Sequence, residues 1–114
     1  MLGNIYPSLD INGDKKWPIK EYFNIISGAN FLSAIKHLSD IKDFGTEEAF
    51  CEFIEARDQK STPTASVTIR LGDDEFQFRL SEFLEELTVA CSLYSDLHPG
   101  DRDTINSILT MRKI

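Results

Sequence analysis

The sequence is poor in the residues that reactive chemistry draws on. It carries two cysteines and two histidines in 114 residues. Cys51 and Cys91 show no C-x-x-C spacing, so they make neither a disulfide framework nor a zinc site, and buried, reduced thiols are expected. His37 lies among Lys36, Asp40 and Lys42, and His98 precedes Pro99. Neither has a second histidine or a cysteine at ligand spacing, so both read as surface residues rather than ligands or bases. The patterns G-x-x-x-x-G-K-[ST], G-x-G-x-x-G and H-E-x-x-H are missing, leaving nucleotide and zinc-protease readings without support. Adjacent acids such as Glu85 and Glu86 point about 100° apart on a helix, as a solvated face does. The expectation is a protein without catalytic residues and without a cofactor.

Long apolar runs are missing too. Residues 1–10 have no basic segment followed by an apolar stretch of signal-peptide length, and no run suffices to span a bilayer. A soluble, cytoplasmic chain with no membrane partner is expected. Basic residues are in deficit, twelve against nineteen acids, for a formal charge of −7. Direct binding to nucleic acid needs clustered Lys and Arg on phosphates, so that class is excluded and a basic protein partner is favoured. What is plentiful is apolar: 41% hydrophobic residues with eight phenylalanines, enough for one domain over 1–114.

The clearest element is a β-hairpin. Val67, Ile69 and Leu71 alternate with Ser66, Thr68 and Arg70, and Phe76, Phe78 and Leu80 alternate with Glu75, Gln77 and Arg79. This is the period of strands with one buried face. Gly72-Asp73-Asp74 makes the connection. Ser81 then reads as the N-cap of a helix with Phe83, Leu84, Leu87, Ala90, Cys91 and Tyr94 as its buried stripe. Glu82, Glu85, Glu86, Thr88 and Ser92 fall on the side expected to face water.

The flanks read as mostly helical up to about residue 58. Pro18 opens a helix to about Ser27 with Tyr22, Phe23 and Ile26 on its apolar side, ended by Gly28. Asn30 caps a second, bearing Phe31, Ala34, Ile35, Leu38 and Ile41, which Phe44-Gly45 closes. Thr46, with Glu47 and Glu48 in the first turn, reads as the cap of a third helix burying Ala49, Phe50, Phe53 and Ile54. Residues 58–64 form a polar loop, and the hairpin with its helices occupies 65–114. Beyond the turn His98-Pro99-Gly100-Asp101, Asp101 or Asp103 caps a last helix with Ile105, Ile108, Leu109 and Met111. Arg112 and Lys113 suit its C-terminal end. The fold class expected is α+β: a single domain of helices packed on a small antiparallel sheet centred on the hairpin.

One local pattern suggests a metal. Asp10, Asn12, Asp14 and Glu21 occupy positions one, three, five and twelve of a calcium-binding EF-hand loop. Position six is Lys15 rather than glycine, position eight is Trp17, and Pro7 stands where the entering helix should run. The competing reading is an Asn-Gly turn ahead of a helix.

The other constellation is electrostatic. Residues 73–86 hold six acids, Asp73, Asp74, Glu75, Glu82, Glu85 and Glu86, against the single base Arg79. Such a surface can steer and hold a basic protein, with Trp17, Tyr22 and Tyr94 as candidate aromatic anchors. The short α/β chain, its acidic balance, the absence of catalytic motifs and the run from Phe76 to Leu87 together resemble the small acidic immunity proteins of bacterial toxin systems, including the contact-dependent growth-inhibition type. The resemblance implies an inhibitor of a cognate toxin, often a nuclease with a basic cleft. An acidic adaptor, a nucleic-acid-mimicking regulator of a basic protein, and a calcium-binding module are the other readings.

Overall fold

The computed structural model describes residues 5–6, 9–27, 31–54 and 66–110. Helices α1 (Trp17–Ser27) and α2 (Phe31–Ser39) precede four strands, β1 (Phe44–Gly45), β2 (Ala49–Ile54), β3 (Ser66–Leu71) and β4 (Asp74–Arg79). Helix α3 (Leu80–Leu97), a 3₁₀ turn (Pro99–Asp101) and α4 (Arg102–Thr110) follow. The strands form one antiparallel sheet in the order β1-β2-β3-β4. The α+β class expected from the sequence is the class observed.

The hairpin forms where expected, but its connection is shorter than Gly72-Asp73-Asp74, since Asp74 already belongs to β4, and Leu80 starts α3 instead of ending the strand. Leu71 faces Asp74 across a two-residue turn, Ile69 faces Phe76, and Val67 faces Phe78. Gly72 adopts φ +60, which an L side chain tolerates poorly. Val67 and Ile69 are fully buried, while Phe76 and Phe78 are half-buried. Strand β4 passes into α3 with no loop between Arg79 and Leu80. The capping group is not Ser81, which is exposed within the first turn; the Arg79 amide donates to the Glu82 carboxylate at 2.9 Å. Phe83, Leu84, Leu87, Ala90 and Cys91 form the buried stripe as expected, with Tyr94 half-buried at its end.

The third helix expected at Thr46 is instead strand β2. Ala-Phe-Cys-Glu-Phe-Ile fits both periods: Ala49, Phe50, Phe53 and Ile54 at helical spacing, or Ala49, Cys51 and Phe53 alternating. Pairing decides for the strand, because all six residues from Ala49 to Ile54 match β3 from Leu71 to Ser66. Ala49 and Cys51 are then buried, and Ile54 is exposed on the other face. The capping chemistry of Thr46 survives: its hydroxyl accepts from the amides of Glu48 at 3.1 Å and Ala49 at 3.3 Å, but in the β1–β2 turn. Phe44-Gly45 likewise joins the sheet rather than closing α2. Ile41 leaves the α2 stripe and takes φ 59 just beyond the helix end. There the amides of Ile41 and Lys42 donate to the Leu38 and His37 carbonyls, a left-handed helix stop formed without glycine.

Helices α1 and α3 cover one face of the sheet. Tyr22, Phe23 and Phe83 are fully buried. Phe83 stacks on Phe23 at 5.5 Å between centroids and meets Phe53 edge-on at 5.6 Å. The Tyr22 hydroxyl donates to the Phe44 carbonyl at 2.7 Å, tying α1 to the sheet's short edge. Both cysteines are buried and free, and burial raises the Cys51 thiol well above its usual range. Tyr94 lies between Phe31 at 4.2 Å and His98 at 4.3 Å. Helix α4 buries Ile105. The expectations placed on Pro7, Gly28, Asn30, residues 58–64, Met111, Arg112 and Lys113 lie outside the described residues.

Candidate partner-binding surface

The predicted acids separate into two groups and one exception. Asp73, Asp74 and Glu75 are exposed at the turn end of the β3–β4 hairpin. Glu85 is exposed and Glu82 half-buried on the first turns of α3. Glu86, expected to face water, is 7% exposed. Its carboxylate accepts the hydroxyl proton of buried Tyr6. The helical wheel could not show this, because the covering residue lies 80 positions earlier in the chain. The Tyr6 backbone is held as well: its amide donates to Asn24 Oδ1 at 2.8 Å, and Asn24 Nδ2 donates to its carbonyl at 3.0 Å.

Several acids already have partners. Arg70 bridges Glu75 at 2.9 Å and Glu52 at 3.2 Å across three strands, on the sheet face away from the helices. Lys16 reaches Glu85 at 3.5 Å. These are exposed pairs that a partner's cations can displace at little cost.

Between the groups runs an open groove of about 740 Å³, lined by Asp14, Lys15 and Lys16 on one side, Glu75 to Phe78 of β4, and Glu82 of α3. Trp17 meets Phe76 edge-on at 5.3 Å beside it. Of the three proposed aromatic anchors, Trp17 and Tyr94 are half-buried, whereas Tyr22 is a core residue. The sequence pattern did not reveal the groove, since its walls bring residues 14–16 against residues 75–82, two stretches far apart in the chain.

The EF-hand candidates are engaged locally. Asp10 Oδ1 accepts the amides of Asn12 at 3.3 Å and Gly13 at 2.9 Å, closing the turn before α1. Asp14 accepts the Lys16 amide at 2.9 Å and pairs with Lys20 at 2.5 Å. The Lys20 ammonium holds the Asp14 carboxyl below its ordinary range, and Asp14 in turn raises Lys20. Glu21 lies on α1. Among the described residues, no group of three or more His, Cys, Asp or Glu side chains is placed to hold a metal ion. His37 is exposed, with Nδ1 2.9 Å from the Ser33 carbonyl.

Residues 15–109 match the family described as CDI immunity protein, of contact-dependent growth inhibition. The chain belongs to this family. No curated protein matches it. Membership makes its function immunity, the neutralisation of a cognate toxin, and agrees with the resemblance in the sequence. Among the described residues, the matched span takes in all the strands and helices except Thr110, the last residue of α4. Among the described residues of this immunity protein, no helix is long and apolar enough to cross a membrane.

Proposed function

We propose that this immunity protein neutralises a basic nuclease toxin by occupying its cationic cleft with the acidic surface of the β3–β4 turn and the α3 N-terminus. The observation carrying this reading is the exposure of Asp73, Asp74, Glu75 and Glu85, with Glu75 and Glu82 lining the open groove across from Lys15 and Lys16, on a chain of net charge −7. Glu86 is left out, since its carboxylate is turned inward to Tyr6. A nuclease cleft concentrates cations for phosphate, and an acidic protein surface meets the same field. No catalytic step is required of the inhibitor, which acts by coverage and charge.

The test is the triple variant Asp73→Lys, Asp74→Lys, Glu85→Lys with the cognate toxin domain. Association at low salt should slow by roughly 10- to 100-fold, and the difference should shrink at high salt. An unchanged association rate removes this face from the interface. Degradation of RNA or DNA by the toxin domain, blocked by the wild-type protein, checks the nuclease assignment; a toxin inert towards both refutes it.

A further inference from the structure

The two edges of the sheet are finished differently. Strand β1 spans two residues, and where it stops the outward amide of Phe53 is taken by Asp43 Oδ1 at 2.9 Å. That edge is closed by a side chain. Strand β4 spans six residues at the opposite edge. In a hairpin with a two-residue turn, Leu71 and Asp74 are a hydrogen-bonded pair, and the alternation makes Ile69/Phe76 and Val67/Phe78 bonded pairs too. Glu75, Gln77 and Arg79 therefore aim their amides and carbonyls away from β3. The Arg79 amide is capped by Glu82. Among the described residues, no backbone hydrogen bond engages Glu75 or Gln77 on that side. Natural sheets shorten, cover or block such an edge unless something pairs with it.

We propose that β4 is completed by an extended segment of the toxin, which adds a fifth strand along Glu75–Gln77 and seats alternate side chains in the groove. The groove borders this edge, with Phe76 and Phe78 lining it, Glu82 on one side and Asp14, Lys15 and Lys16 on the other. Side chains of the added strand on the helix-covered face meet Phe76 and Phe78, so they are apolar. Those near the Gly72 turn meet Asp73, Asp74 and Glu75, so that end of the segment is basic. The charge gradient along β4, from three acids at the turn to Arg79 at the helix junction, sets the direction of the segment. Pairing through main-chain bonds gives affinity, and the side-chain alternation gives selection.

Because the proposal rests on the toxin-neutralising reading, its test separates the two. Gln77→Pro removes one outward amide while leaving the β3–β4 ladder intact, as proline is tolerated on an edge strand when its nitrogen faces outward. Gln77→Thr keeps the amide and changes only the side chain. With the catalytically inactivated toxin domain as probe, calorimetry should show Gln77→Pro weakened by roughly 10- to 100-fold and Gln77→Thr within about threefold of wild type. A second readout needs no variant: the amides of Glu75 and Gln77 in the wild-type protein should become protected from hydrogen exchange in the complex. Equal binding by Gln77→Pro, or amides that exchange as fast in the complex as in the free protein, overturns strand addition while leaving immunity standing. A wild-type dimer in sedimentation that Gln77→Pro dissociates assigns the edge to a second copy and also overturns it. A wild-type protein that does not bind the toxin domain removes both.

Discussion

Changing Tyr6→Phe removes one oxygen and isolates a buried charge. The Tyr6 hydroxyl is the hydrogen-bond donor to the Glu86 carboxylate, and both residues are under a tenth exposed. A hydrogen bond to a charged group contributes roughly 1.5–3 kcal/mol, and its loss leaves the carboxylate poorly solvated. Lys20 offers part of a replacement, because its ammonium lies 5.7 Å from the centre of the Tyr6 ring, but it is already paired with Asp14. The net loss should be about 2 kcal/mol, or a fall in melting temperature of roughly 8 °C for a chain of this size. Urea unfolding gives the number directly, since the slope should stay constant while the midpoint moves. Glu86→Gln keeps an acceptor and sheds the charge, so it should cost less. The double variant Tyr6→Phe with Glu86→Leu should recover part of the loss, because an apolar pair replaces a broken ionic one. The backbone bonds from Asn24 to Tyr6 are untouched by these changes, which confines the effect to the hydroxyl. A Tyr6→Phe protein within about 0.5 kcal/mol of wild type would refute the assignment of Glu86 to the interior.

Two glycines should fail for different reasons. At Gly45 an added Cβ would lie 2.5 Å from the Ala49 carbonyl and from Phe50 Cα, so Gly45→Ala should cost about 1–3 kcal/mol by overpacking. At Gly72 nothing lies within 4 Å, and Gly72→Ala should cost about 1 kcal/mol through its positive φ alone; denaturant midpoints compare them, and an unaffected Gly45→Ala would contradict the β1–β2 register. For Asp14, the folded pKa lies below the unfolded one because Lys20 favours the carboxylate. Its stabilisation is therefore present above about pH 4 and lost as pH falls through the folded value. Asp14→Asn should be up to about 1 kcal/mol less stable at neutral pH, with the gap closing in acid, as an urea titration over pH 2–7 would show. A gap that does not change with pH would mean the Lys20 pair contributes nothing.

The legible parts of the fold were those where one period had no competitor. Ser66 to Leu71 and Glu75 to Arg79 each alternate, and Phe83 to Cys91 keeps helical spacing; both the hairpin and the helix formed where expected. Residues 46–54 were misread because Phe50 and Ile54 also satisfy the helical period, and an ST-type turn at Thr46 resembles a helix cap in one dimension. Only the six-residue match with β3 separates the two. Ile41 belonged to the α2 pattern by spacing, but the helix stops at Ser39 and turns left-handed just after it. For the candidate surface, the exposed acids at the hairpin turn could be read from alternation. Glu86 could not, since its solvent side is occupied by Tyr6, and the open edge could not, since it depends on no described residue pairing beyond β4.

The direct passage from Arg79 to Leu80 constrains how this protein can change over generations. A connecting loop absorbs insertions; a junction without one does not. One residue gained there would turn α3 by about 100° about its axis or slide β4 by one residue, exchanging its two faces. Either would break the contact of Phe83 with Phe23 and Phe53, and part the Glu82 carboxylate from the Arg79 amide. A change of partner specificity in this region is therefore expected to keep its length and to replace side chains on an unmoving frame.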